Sequence, residues 1–446
     1  MPKLPFYQSF YLSRWVYYAG FAAASFFVLS FFIPFFSIIG IVLIVFTGIV
    51  VLADALLLYG NTKGVFALRE TPDRMSNGDE NKILITLSNT YAFAVRCIVI
   101  DELPFQFQER DWKRFVAISR NAEYRLEYVV IPVTRGQYEF GNINIYASSP
   151  LRMVQRRFRS GLPAMVNVYP SFIQMRRYQL AAIGNQLQET GTKKVRKLGH
   201  SIEFDLIKDY VYGDDHRSVN WKATARKGGL MMNAFTDERS QPVYCVINKG
   251  RVMKMPFEGM TLLDYSINAA LALLNVALRK GDKAGLITYA DTVETFLPAD
   301  KKATQVNTLL QTLYNEQTRF SEPDNEVLFA TIRNRIAQRS LLILFTNFES
   351  IESLERQLSF FKLMARYHLV IVVFFENTEL KSVLEGEAKT TEAIYIKTIA
   401  QKYQHEKKAM VKALRMHGII AVLTAPQQLT VTTLNKYLEL KKRQTI

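Results

Sequence analysis

The chain has 446 residues, of which 49% are hydrophobic, so it can bury a core in each of two or three folded units and is not a mainly disordered protein. Its formal net charge of +16 favours anionic partners such as lipid headgroups or nucleic acid. The only cysteines, Cys97 and Cys245, exclude a disulfide framework and fit a reducing compartment.

The first predicted elements are two apolar helices. No charged residue or histidine occurs from Trp15 to Ala53. One helix of that length would extend about 58 Å, almost twice the roughly 30 Å hydrocarbon core of a bilayer. We therefore predict a membrane hairpin within residues 1–62, with passes over 15–33 and 37–58 and Pro34 at the turn. The apolar stretch is too long for a cleaved signal peptide.

Flanking charges predict the orientation of this hairpin. Lys3 and Arg14 precede it, Lys63 and Arg69 follow it, and the connection between the passes has no charge. Because basic flanks stay on the cytoplasmic side, we expect a multi-pass membrane protein with both ends and all soluble domains in the cytoplasm. We interpret Asp54, near the end of the second pass, as an interfacial carboxylate.

Residues 63–171 predict an antiparallel β-sandwich, because segments such as "NKILITLSNTY" and "EYRLEYVVIPV" alternate apolar and polar residues between turn-forming pieces. Trp112 is expected to be a packing residue. Basic clusters at 152–159, 175–178 and 192–197 either lie against anionic lipid or form a solvated face. Specific nucleic-acid binding is not expected, because aromatic residues are not interleaved at stacking spacing.

After a basic connector over residues 172–242, the pattern changes to alternating strands and helices over residues 243–446. Apolar strands are predicted at "VYCVI", "AGLITYA", "LLILFT", "HLVIVVFF" and "GIIAVLT". This order predicts an α/β fold with a parallel, doubly wound sheet, whose ligands bind beyond the carboxyl ends of the strands. The stretches "VINKGRVM" (246–253) and "FTNFES" (345–350) should lie at that edge.

The residues expected at this edge suit a metal ion poorly. A hard divalent cation prefers carboxylates, hydroxyls and water, whereas the loops offer Asn248, Lys249, Gly250 and Asn347. An ammonium about 5 Å from a divalent ion repels it by on the order of 6 kcal/mol at an effective dielectric of ~20. We expect an edge rimmed by amide and ammonium groups with no acid of its own, suited to a polypeptide. The alternative, a divalent-cation-dependent ligand-binding protein with a site rebuilt from Asn248, Thr288, Asn347 and a carboxylate from elsewhere, stays open.

A denser charged motif lies upstream, between Phe204 and Glu238. Its spacing lets arginines and carboxylates pair above a buried Trp221 indole. A hydrolase using Asp214 or Asp215 would need the pKa values of its carboxylates to differ, but the adjacent arginines favour ionisation of both. His200 and His216 have no partners at zinc-ligand spacing. We therefore expect no enzymatic activity and no cofactor.

The motif resembles a known family at this point. The segments "DYVYGDDHRSVNWKATARKGGLMM" and "VINKGRVM" are similar to the signature of the bacterial family called domain of unknown function 58, many of whose members are partners of MoxR-type AAA+ ATPases. Elements such as "RGQYEFG" (135–141) and "SPL" (149–151) extend the similarity over nearly the whole chain. The residues that match the signature are Gly213, Asp214, Asp215, Arg217, Asn220, Trp221, Lys222, Ala225 and Arg226.

The resemblance implies a bacterial inner-membrane protein with a two-helix hairpin, a β-rich segment and a von Willebrand factor A-like domain. It further implies a scaffold or chaperone-like adaptor whose protein partner is an AAA+ ATPase, in complex assembly or stress tolerance; oligomerisation stays open. The chain departs from many von Willebrand A-like domains where Asp-x-Ser-x-Ser is replaced by the residues from Asn248 to Val252. We therefore do not expect this chain to bind ligands through a metal ion as many domains of that fold do.

Overall fold

The computed structural model describes residues 5–61, 63–188, 203–211, 216–236, 240–377 and 390–443. The chain divides into two compact units, Met1–Tyr169 and Pro170–Ile446. The described residues form both helices and strands, so the predicted mixed α/β class is confirmed. The predicted domain boundaries stay predictions.

The first unit begins with three helices, and the second and third form an apolar pair. Their bounds are α1 Phe6–Ser9, α2 Arg14–Leu29 and α3 Phe35–Tyr59. The rings of Phe26 and Phe36 stack at 6.0 Å between centroids. Gly40 allows close approach, because a Cβ there would lie 3.2 Å from the ring of Phe27. Pro34 lies directly before α3, at the predicted turn.

The rest of this unit, residues 63–169 together with the strand Phe10–Leu12, is called the β-rich unit below. Its sheets have the orders β1-β10-β9-β5-β6, β2-β4-β7 and β3-β11-β8, in which the described pairs are antiparallel except β3–β11. Trp112 packs 4.5 Å from the Tyr128 ring in the core, as predicted. The strands are β1 Phe10–Leu12, β2 Val65–Glu70, β3 Arg74–Ser76, β4 Asn81–Asn89, β5 Val95–Asp101, β6 Arg114–Ile118, β7 Glu123–Val130, β8 Gly136–Phe140, β9 Ile143–Ser148, β10 Val154–Ser160 and β11 Ala164–Tyr169.

The last turns of α3 are part of the β-rich unit's packing. Asp54, expected at a membrane interface, is fully buried, and its Oδ2 accepts from the N–H groups of Met153 and Val154, both at 2.7 Å. Arg156 donates to the carbonyl of Leu58 at 2.6 Å. The interfacial interpretation of Asp54 is therefore wrong: the carboxylate is the buried acceptor for the start of β10.

The basic cluster at 152–159 is also partly engaged within this unit. Arg157 donates to Asn144 Oδ1 at 2.8 Å, and the Arg156 guanidinium lies 4.5 Å over the ring of Tyr59. The guanidinium groups of these two residues are hydrogen-bonded or stacked within the protein, so fewer of their N–H donors are available to lipid headgroups than the sequence alone suggests. The clusters at 175–178 and 192–197 differ in placement: the first lies on a helix, and the second lies outside the described residues.

The second unit is built on a six-stranded sheet of order β18-β17-β14-β19-β20-β21. Its pairs are parallel except β17–β18, which is antiparallel. The strands of this unit are β12 Glu203–Asp209, β13 Met231–Thr236, β14 Pro242–Asn248, β15 Pro256–Phe257, β16 Met260–Thr261, β17 Lys283–Tyr289, β18 Val293–Asp300, β19 Leu341–Phe345, β20 Leu369–Phe375 and β21 Ile420–Thr424. The sequence predicts each strand of the six-stranded sheet except the edge strand β18.

Helices cover both faces of this sheet. Alternate residues of β14 divide between the faces: Tyr244 and Val246 pack in a cluster that includes Leu328, Phe361 and Met410. The helix Leu262–Arg279 contacts β14 and β17 from the other side. Cys245 is fully buried, as expected of a core residue. The helices are α4 Phe172–Gln188, α5 Trp221–Lys227, α6 Leu262–Arg279, α7 Gln305–Asn315, α8 Asn325–Arg335, α9 Ile351–Tyr367, α10 Thr391–Met416 and α11 Leu429–Lys442.

Two helices of the described chain, α3 and α6, are long and apolar enough to cross a membrane. Helix α6 is the core helix of the second unit, because 83% of its most apolar window is buried, against 6% for α3. Helix α3 is thus the one that is both apolar and exposed.

Candidate functional site

The order of the six-stranded sheet places its switch point between β14 and β19. The chain goes from β14 to β17 and β18 on one side, and then to β19, β20 and β21 on the other. The loops that follow β14 and β19 therefore meet at the carboxyl edge, where such sheets bind ligands. Both predicted stretches, 246–253 and 345–350, lie at this edge.

Both polar side-chain atoms of Asn248, at the end of β14, form hydrogen bonds within the chain. Its Nδ2 donates to Thr346 Oγ1 at 2.9 Å, and its Oδ1 accepts from the N–H of Gly250 at 2.8 Å. The side chain has no exposed surface. The amide thus joins the two loops and fixes the turn at Gly250.

Lys249 is not a rim ammonium, and the predicted absence of an acid is wrong. The side chain is buried, and its Nζ pairs with Glu294 Oε2 at 2.5 Å and with Glu316 Oε2 at 2.6 Å. Both carboxylates come from distant segments, which is why the loop sequence alone does not reveal them. Burying a charge is expensive unless it is paired, and here the pairing is complete.

The ion pairs extend into a network around Glu316. Its Oε1 accepts from Thr288 Oγ1 at 3.0 Å and from Thr295 Oγ1 at 2.7 Å. Glu294 Oε1 pairs with Arg319 Nε at 2.6 Å, and Arg319 Nη1 also pairs with Asp291 Oδ1 at 3.3 Å. The network connects the loop after β14 to β17, β18 and the segment after α7.

This geometry bears on the alternative of a rebuilt metal site. Thr288 and Glu316 do lie together, but the Lys249 ammonium already occupies the space among these oxygens. Asn347 Oδ1 instead accepts from Lys407 Nζ at 3.0 Å. Within the described ranges, no group of three or more His, Cys, Asp or Glu residues is placed to hold a metal ion. A divalent ion would therefore have to displace an ammonium.

Lys407 of α10 is a second buried ammonium at this edge, and the sequence does not single it out. Its Nζ also donates to the carbonyl of Phe348 at 2.7 Å and lies 5.7 Å from the Phe374 ring centroid. Desolvation lowers the pKa of Lys407 to about 8, opposed by the charge of Glu349. This lysine holds the loop after β19 as Lys249 holds the loop after β14.

The charged signature motif folds into a short helix packed on a two-stranded ribbon. Asn220 caps α5, because its Oδ1 accepts from the N–H of Ala223 at 3.0 Å, and its Nδ2 donates to Asn233 Oδ1 at 2.7 Å. The helix ends at Gly228, whose φ of 74° is left-handed. Gly213, Asp214 and Asp215 lie outside the described residues, as does His200.

Trp221 is the site residue that departs most from expectation. Instead of lying beneath ion pairs, its side chain is 73% exposed at the first position of α5. Lys222, Ala225 and Arg226 are exposed beside it, and Arg217 lies in the single turn His216–Ser218. Within residues 216–236, neither Lys222 nor Arg226 forms an ion pair. We name the exposed group Trp221, Lys222 and Arg226 the signature face.

Comparisons with known proteins locate the similarity in the second unit. Residues 207–413 match the family described as "Protein of unknown function DUF58". The "Uncharacterized protein YeaD" of Bacillus subtilis is 25% identical over 215 residues, which cover 47% of this chain and 52% of that protein. The match therefore spans about half the length of that curated relative.

Solved structures resemble the chain only weakly. BatB, a conserved hypothetical protein of Bacteroides thetaiotaomicron, is 12% identical, with a TM-score of 0.29, and the match covers 45% of this chain and 99% of BatB. The CARDB domain of PF1109 from Pyrococcus furiosus is 13% identical, with a TM-score of 0.17, over 23% of this chain and 86% of that domain. Scores at this level do not establish a shared fold.

Proposed function

Through residues 207–413 the chain belongs to the DUF58 family, and from this premise we propose that it is a membrane-anchored, non-enzymatic adaptor that binds a protein partner. Helices α2 and α3 are the anchor, with both ends on the cytoplasmic side of a bacterial inner membrane. The β-rich unit, a β-sandwich, and the second unit, a von Willebrand factor A-like domain, lie in the cytoplasm.

The observation that carries the proposal is the signature face. A tryptophan that is 73% exposed loses contact with water when a partner covers it, and tryptophan and arginine are the residues most often found to dominate binding energy. Caps at both ends of α5 hold the backbone that carries the indole before binding, which reduces the backbone entropy lost on association. Lys222 and Arg226, which form no ion pair within the described residues 216–236, favour an acidic partner surface.

The carboxyl edge supports the same role. Lys249 and Lys407 hold its loops through internal contacts, so the edge has a fixed shape without a bound ion. From the family resemblance, the partner proposed is a MoxR-type AAA+ ATPase, and the process is complex assembly or stress tolerance.

The test is site-specific photo-crosslinking in native membranes. A benzophenone side chain at Lys222 of the full-length chain should crosslink to one ATPase under ATP-trapping conditions, whereas one at Phe115, exposed in the β-rich unit, should not. Trp221→Ala should weaken capture about 30-fold, equivalent to ~2 kcal/mol. Equal crosslinking from both positions, or capture that is indifferent to Trp221, contradicts the proposal.

A further inference from the structure

The turn between α2 and α3 differs in chemistry from the opposite end of the pair. Near the start of α2, Trp15, Tyr17 and Tyr18 are exposed, and such amphipathic rings are typical of the level of lipid headgroups. The turn from Ser30 to Ser37 reads "SFFIPFFS", with no charge, tryptophan or tyrosine. Its apolar side chains are nevertheless exposed, with Phe32 at 76%. Only one end of the pair carries the residues of a membrane–water interface.

The apolar stretches of α2 and α3 are also short. From Tyr18 to Phe32, α2 and the tighter turn after it rise about 22 Å. In α3, Val51, Ala55 and Leu58 pack against the core of the β-rich unit, although Leu52 between them is exposed. The stretch in which no residue packs against that core runs from Phe35 to Val50, also about 22 Å. A bilayer has a hydrocarbon core of roughly 30 Å. The turn therefore stops short of the opposite headgroups.

The polar groups of the turn are largely bonded internally. Ser30 Oγ donates to the carbonyl of Phe27, and Ser37 Oγ to that of Pro34, both at 2.6 Å. Pro34 has no N–H to satisfy. The backbone N–H groups of the turn that donate to carbonyls of α2 or of the turn itself are those of Ser30, Phe31, Phe32, Ile33, Phe36 and Ser37. Internal bonding of this kind is what a segment surrounded by acyl chains requires.

We propose that α2 and α3 enter the bilayer from one side and turn within its hydrocarbon region, so that the turn Ser30–Ser37 contacts lipid acyl chains and not the water on the far side. This inference rests on the membrane anchoring proposed above, and replaces two complete crossings with a re-entrant hairpin. Local thinning of the bilayer would let helices of this length cross it. A turn that reached the far surface would still expose Phe31, Phe32 and Phe35 to water.

The test uses a matched pair of cysteine variants of the full-length chain, Phe32→Cys and Phe115→Cys, at positions 76% and 74% exposed. The native thiols contribute little background, because Cys97 and Cys245 are buried and burial raises the pKa of Cys97 to about 12. A membrane-impermeant maleimide is applied to oriented vesicles from each side. We expect Phe115→Cys to react with the maleimide from one side of the membrane. Before detergent is added, Phe32→Cys should react from either side at least tenfold more slowly than Phe115→Cys does, and detergent should make it reactive.

Each other outcome has a distinct meaning. Reaction of Phe32→Cys from the side opposite to Phe115→Cys overturns the inference and leaves the membrane anchor intact. Reaction of both from the same side, in chains that alkaline washing removes from the vesicles, refutes the anchor itself. A disulfide-linked dimer of Phe32→Cys on mild oxidation shows that a second copy, not lipid, covers the turn, and also overturns the inference.

Discussion

Helices α3 and α6 are both long and apolar enough to cross a membrane, yet 6% of one apolar window is buried in protein and 83% of the other. Their polar side chains also have different partners. In α6, Asn268 accepts from the N–H of Ser171 at 2.8 Å and Asn275 donates to Gln179 at 3.1 Å, so these amides bond to the region of α4. In α3, Thr47 Oγ1 donates to its own helix, at the carbonyl of Leu43. The two asparagines of the core helix thus bond to a neighbouring segment, whereas of Thr47 and Asp54 in α3 only Asp54, where the helix reaches the core of the β-rich unit, does so.

The largest effect expected from this comparison is on core packing. Leu271 of α6 is fully buried, so Leu271→Ala should lower the free energy of unfolding of the second unit by about 2 to 5 kcal/mol. The matched variant Leu52→Ala, exposed in α3, should change the stability of the first unit by less than about 0.5 kcal/mol. Urea denaturation in detergent measures both. A large loss for Leu52→Ala would mean that α3 is packed against protein.

Asp54 marks the point where α3 stops behaving as a lipid-exposed helix. Asp54→Leu leaves the N–H groups of Met153 and Val154 without an acceptor and should destabilise the first unit by about 2 to 3 kcal/mol. Asp54→Asn keeps an acceptor oxygen and should cost less. Thermal unfolding of the two variants in the same detergent compares them. Equal losses of stability for the two variants would show that the negative charge of Asp54, and not its acceptor oxygen, stabilises the contact between α3 and β10.

Lys407 provides a buried charge in the second unit, and its titration sets a pH dependence. Because its folded pKa of about 8 lies below the ordinary 10.5, the unfolded chain binds more protons between these values, and stability rises with pH across that window. From pH 8 to 10 the wild type should gain about 2 kcal/mol relative to Lys407→Met. Urea denaturation at both pH values measures the difference. Parallel pH profiles for the two proteins would contradict this account.

The smallest expected effect is on stability at Trp221. Because its indole is exposed, Trp221→Ala should change the free energy of unfolding by less than about 0.5 kcal/mol while it weakens partner binding about 30-fold. A burial-based expectation would instead give about 3 to 5 kcal/mol. Thermal unfolding of the full-length variant separates the two, and a loss above 2 kcal/mol would return Trp221 to a structural role.

Local patterns were sufficient for much of the fold. The alternating run of β4 buries Ile83, Ile85 and Leu87, and the apolar run of β14 is buried on both faces, as periodicity predicts. The missed strand β18 is only half buried along its length, so it lacks the apolar run that identified its neighbours.

The site depended on contacts between distant segments. Glu294 and Glu316 reach Lys249 across 45 and 67 residues, and Asp54 reaches Met153 across 99, distances at which sequence spacing carries no information. Trp221 was placed in a core because its neighbours are charged. In a capped helix as short as α5, the first residue faces solvent, and only the structure shows this.

The claim that α3 is a lipid-exposed anchor is tested most directly by flotation of the full-length chain. Membranes washed with alkaline carbonate are layered beneath a density gradient and centrifuged. The account predicts that the chain floats with the lipid. Recovery of folded chain in the carbonate supernatant, with none in the floating lipid, would contradict it.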